Sequence, residues 1–103
     1  MIVATIVPSP RKGKKWRAII TEDKRLLGTV DFGAKGYSDF PQHKDKTRRM
    51  MYLKRHSINQ DWTKSGMLTA GFWSRWLLWN KPTLRGSGND IKKRFGIKVR
   101  ITE

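Results

Sequence analysis

The chain has 103 residues, with 23 Lys and Arg against 8 Asp and Glu, a net charge of +15 and five tryptophans. It has no cysteine, which excludes disulfides, thiolate nucleophiles and cysteine-based zinc sites and is in keeping with a reducing compartment. At this size a single domain is expected, one that buries roughly 65% of its unfolded surface around a small core of large side chains.

Residues 2–7, IVATIV, are β-branched and apolar and predict a short strand. Their place ahead of the first positive run is the reverse of a secretory signal, so the segment is expected to be mature chain that is not secreted. Pro8 and Pro10 end the strand, and residues 8–15 are expected to form a basic loop. Trp16–Ile20 and Leu26–Phe32 alternate large apolar residues with others across TEDKR, predicting a β-hairpin whose loop is too long for a two-residue turn.

GAKGYSDFPQH follows as a glycine-punctuated connection. Its Gly33 and Gly36 suit positive φ better than they argue for a phosphate-binding nest. DKTRRMMYLKRHS predicts a helix capped by Asp45, with Met50, Leu53 and Ser57 on one face and Arg48, Tyr52 and Arg55 on the opposite one. A second helix is expected over Thr69–Trp79 and is apolar nearly all round, the mark of a buried helix. Its Phe72, Trp73, Trp76 and Trp79 therefore read as core. A stacking platform would set such rings apart on a wet basic surface.

A third helix starts at Thr83, or at Asn89 if Gly86 and Gly88 break it, and ends at Gly96. IKVRITE alternates Ile97, Val99 and Ile101 with Lys98, Arg100 and Thr102, predicting a half-exposed strand with a basic outer face. The fold expected is α+β: a small antiparallel sheet, made of the hairpin and the terminal strands, on two or three helices around the tryptophans. No segment approaches the run of about 18 apolar residues that a spanning helix needs.

The charge balance points to a polyanionic partner. Three basic patches carry the expectation: Arg11, Lys12, Lys14, Lys15 and Arg17 beside Trp16; Lys44, Arg48, Arg49 and Arg55 with Tyr52; and Lys92, Lys93 and Arg94 with Lys98 and Arg100. Phosphate contact by such residues releases counterions and needs little sequence preference. The first patch also fits a nuclear-import signal. Three separated patches suit a large polyanion better than a small-molecule substrate. DNA is favoured over RNA, and base readout by Arg48 or Arg55 is the finer alternative, since a helix fits the major groove.

Catalysis is not expected. DFG at 31–33 lacks the phosphate loop and catalytic loop that would make it a kinase motif. His43 with Asp45, His56, or a convergence of Asp31, Asp39 and Asp45 would be needed for a nuclease, and their spacing matches no metal-ligand motif. No metal and no cofactor are implied.

DFGAKGYSDF, HKDKTRRMMYLKRH, Asp61-Trp62 and TAGFWSRWLLWNKPTL together resemble a domain of unknown function found in small basic proteins of large double-stranded DNA viruses of algae and protists. The resemblance covers about residues 14–97 and departs at RGSGND, residues 85–90, where glycines weaken the third helix. It implies a viral origin and a place in the virion or the infected host cell, in cytoplasm or nucleus, and offers no catalytic residues. Non-catalytic nucleic-acid binding is the function expected, in viral DNA handling or packaging. The alternative is a minor structural protein that cements capsid or core proteins.

Overall fold

The computed structural model describes residues 1–102. In chain order the elements are β1 (Ile2–Pro8), β2 (Lys14–Glu22), β3 (Arg25–Ala34), α1 (Phe40–His43), α2 (Lys46–His56), α3 (Ala70–Trp73), which runs on into a π-helical turn at Ser74–Leu78, α4 (Leu84–Phe95) and β4 (Ile97–Ile101). A 3₁₀ turn at Lys64–Gly66 lies between α2 and α3.

The four strands form one sheet in the order β3-β2-β1-β4. Alternate residues Ile2, Ala4, Ile6, Ala18, Ile20, Val30, Phe32 and Ile97 are buried in one core with Phe72, Trp73, Trp76, Leu77, Leu78 and Ile91 from the helices. A period of two on each strand thus gives the sheet one covered face and one wet face. Trp73 is fully buried and its indole N–H donates to the Met67 carbonyl at 2.7 Å; Trp76 does the same to Trp62 at 2.8 Å. Buried indoles need such partners. The tryptophans at the centre of the chain are core, as their helical distribution predicts.

The α+β class holds, but the sheet is mixed rather than antiparallel. β4 pairs parallel to β1, Ile2 opposite Ile97 and Ile6 opposite Ile101. The chain reaches β4 through α4, a helical crossover of the kind that parallel pairs require.

The hairpin also differs from expectation. Glu22 pairs with Arg25, so only Asp23 and Lys24 turn the chain, at φ of 49° and 68°. Two successive positive φ angles make the type I′ geometry that matches strand twist. A bulge between Ile20 and Thr21 takes up the extra residue. The expected basic loop shrinks likewise, because β1 runs to Pro8 and β2 begins at Lys14.

In α2 the face turned to the protein is the reverse of a methionine stripe. Tyr52 is buried, whereas Met50 and Met51 are exposed. α4 is continuous from the Thr83 cap across Gly86 and Gly88 to Gly96, which is left-handed at φ 72°. Its buried face is Ser87, Gly88 and Ile91, small enough for the helix to approach Val99 of β4 closely.

Candidate nucleic-acid interface

The first basic patch divides into cations that hold the fold and cations that face water. Arg17 donates from Nε and Nη2 to the two Asp31 oxygens at 2.9 and 3.1 Å, and Ser9 Oγ donates to the same carboxylate at 2.7 Å. The Arg17 and Ser9 hydrogen bonds hold the Asp31 carboxyl below its usual range. Lys15 Nζ bonds to Asp39 Oδ2 at 2.7 Å and to the Tyr37 carbonyl. Both members of the Lys15–Asp39 pair are largely buried. Lys15 and Arg17, expected to meet phosphate, are therefore already committed to carboxylates. Arg11 and Lys12 are exposed in the turn before β2, and Lys14 is half-exposed.

On α2, Asp45 accepts the backbone N–H groups of Thr47 and Arg48 at 2.9 and 3.2 Å, the cap that its position predicts. Lys44 donates to the carbonyls of Pro41 and Pro82 at 2.7 and 3.2 Å. Arg49 Nε donates to the Asn80 carbonyl at 2.9 Å, with its guanidinium 5.6 Å from the Phe40 ring centre. Tyr52, read from sequence as part of the contact face, instead stacks on Trp79 at 4.4 Å and 4°, with His56 against it at 4.3 Å. Burial raises its phenol above the usual value, and a hydrogen bond with Ser74 works against the rise. A Tyr52 in this place braces α2 on the core. Arg48 and Arg55 are exposed, and among the described residues neither meets a carboxylate.

The C-terminal patch divides in the same way. Arg94 pairs with Asp90 at 3.2 Å and lies 4.6 Å from the Trp76 ring centre, while Lys92 and Lys93 are exposed in the last turn of α4. Lys98 is half-exposed and Arg100 exposed on β4. Between these groups sits Arg75, half-buried, 4.1 Å from the Trp76 ring centre and donating to the Trp79 carbonyl at 3.1 Å. Burial, then the nearby Arg49 and Arg94, push it down to about 10.

A cleft brings residues from two basic patches together with Tyr37, Ser38 and Ser74, which the sequence alone does not single out. The loop after β3 projects Tyr37, and two cavities of about 310 and 260 Å³ share Tyr37, Ser38 and Trp79 as common walls. Lys14, His56, Gln60 and Ser74 line the first; Arg48, Met51 and Arg55 line the second. A third, of about 390 Å³, adjoins through Lys15, Asp39 and Leu78 and is bordered by Trp16, Lys35 and Leu84. Asp39 is the one carboxylate in these linings and is held by Lys15, so the cleft carries uncompensated positive charge.

Among the described residues no three His, Asp or Glu come together as a metal site. Asp31, Asp39 and Asp45 serve separately as ion-pair partners and a cap. The model of a family of unknown function, DUF5754, matches residues 4–56. The chain belongs to this family. The matched half spans β1 to α2 and includes FGAKGYSDF, whereas WLLWNKP lies outside it. Neither the curated proteins nor the solved structures include a match. No helix among the described residues is long and apolar enough to cross a membrane.

Proposed function

We propose that the protein binds nucleic acid without catalysis, mainly through phosphates and with little sequence preference. The observation that carries this reading is the cleft at Tyr37, where, among the described residues, Arg48 and Arg55 have no ion-pair partner beside an aromatic ring and the one lining carboxylate, Asp39, is held by Lys15. Arg11, Lys12, Lys92 and Lys93 add exposed charge from the other two patches. The resemblance to proteins of large double-stranded DNA viruses supports viral DNA handling or packaging as the setting, in the virion or the infected cell. If these six cations each neutralise one phosphate, log K for a duplex falls with log salt at a slope of about −5.

Titration of the purified chain with a labelled duplex from about 50 to about 300 mM salt measures that slope. Polyglutamate as competitor separates nucleic-acid binding from generic charge. A steep linear slope, with preference for DNA kept against polyglutamate, is expected. Displacement by polyglutamate as readily as by DNA would overturn the proposal. It would favour the second reading, a structural protein of the particle, for which exposed Met50, Met51 and Ile58 offer an apolar contact.

A further inference from the structure

Tyr37 is the one aromatic ring among the described residues that is mostly exposed, at 74%. The other rings near the cleft are buried or half-buried. His56, Tyr52, Trp79 and His43 pack in succession at centroid distances of 4.3, 4.4 and 5.3 Å, with Tyr52 and Trp79 stacked and the two histidines tilted against them. Tyr37 has no ring against it, yet it is not on a loose loop. Its backbone N–H donates to Ala34, its carbonyl accepts from Lys15, and Lys15 is anchored on buried Asp39. The backbone that carries this exposed ring is thus held in place, and binding there costs little further loop entropy.

The surroundings narrow the ligand. Arg48 and Arg55 are seven residues apart on α2, two turns or about 10 Å along the axis, and both line the cavity on one side of Tyr37. That separation suits the two phosphates that flank one nucleotide better than a single phosphate held by both. On the other side of Tyr37, His56 and Ser74 offer hydrogen-bonding groups in a cavity of about 310 Å³. A ring with two cations on one side and a polar recess on the other matches a nucleobase that exposes its face, its edge and its neighbouring phosphates. A base inside a duplex has both faces covered by its neighbours and its pairing edge occupied.

Building on the nucleic-acid reading above, we infer that the Tyr37 cleft takes an unpaired nucleotide, its base stacked on Tyr37 and its flanking phosphates on Arg48 and Arg55. The site is selective for single-stranded ends or gaps, while the remaining basic patches hold any nucleic acid.

The test uses the full chain and two labelled probes of equal duplex length, one blunt and one ending in three unpaired nucleotides, with affinities read by fluorescence anisotropy. The wild-type chain is expected to bind the tailed probe roughly tenfold more tightly, the gain of one stacked base. Tyr37→Ala is expected to cancel the tailed probe's advantage over the blunt one, and Tyr37→Phe to keep it. Equal wild-type affinity for the two probes, or a Tyr37→Ala loss equal on both, would overturn the inference and leave phosphate binding standing. Failure to bind either probe would overturn the nucleic-acid reading beneath it.

Discussion

Lys12 and Lys15 are three positions apart in one basic run, and the fold gives them unrelated work. Lys12 faces water; Lys15 compensates the carboxylate of Asp39, whose side chain is 7% exposed. Removing one member of a buried pair leaves the other charge desolvated and alone. Lys15→Met is therefore expected to lower unfolding free energy by about 3 kcal/mol in urea denaturation, while Lys12→Met stays within about 0.5 kcal/mol of wild type. Equal effects would mean that the Lys15–Asp39 contact does not matter to stability. A run of like residues tells the chain's charge but not which members have partners, because Asp31 and Asp39 arrive from another strand and a loop. The same limit hid Tyr52. Arg48, Tyr52 and Arg55 share a stripe, but long arginines can stay wet at the margins of a buried ring, so periodicity alone did not say which stripe of α2 turns inward.

At the scale of elements, strong local signals were enough for the cap at Asp45, the buried tryptophan helix and the alternating last strand. Two elements were legible only in three dimensions. Asp23-Lys24 carries no glycine or asparagine to announce a type I′ turn, so polar residues that belong to strands looked like loop. RGSGND looked like a break because glycine weakens an isolated helix; here packing of the Ser87–Gly88 face on β4 outweighs propensity. The two glycines are accordingly not alike. A Cβ at Gly88 would meet Val99 at 3.4 Å, an ordinary contact, whereas one at Gly86 would lie 2.9 Å from the Thr83 Oγ1 that caps the helix. Gly88→Ala is expected to raise stability by up to about 1 kcal/mol through helix propensity. Gly86→Ala gains nothing or loses up to about 1 kcal/mol as the cap is displaced. Urea midpoints of the two variants measure the contrast, and a stabilised Gly86→Ala beside a destabilised Gly88→Ala would contradict it.

For the whole molecule, three of the 23 Lys and Arg find an ion-pair partner among the described residues: Lys15, Arg17 and Arg94. The rest repel one another, and compaction brings them closer. Added salt screens that repulsion more than it weakens the few partly buried pairs. The urea midpoint is expected to rise between about 10 and about 150 mM sodium chloride; a fall would show that attraction between paired charges prevails. The overall charge, and with it the class of partner proposed, stood open in the composition. The cleft did not, since Tyr37, His56 and Ser74 come together only when the β3 loop folds over α2 and the π-helical turn.

The sheet order has a consequence for the making of the protein. β1 is an inner strand only because β4 lies beside it, and β4 is the last element of the chain. During translation, at about 5–20 residues per second, β2 can cover one edge of IVATIV early, while the other edge waits for Ile97–Ile101. In that interval an apolar, β-branched strand of low charge lies open to pairing with other nascent chains, and the lysines and arginines that follow it at residues 11–17 keep such chains apart by repulsion. Part of the molecule's basicity thus guards its own birth.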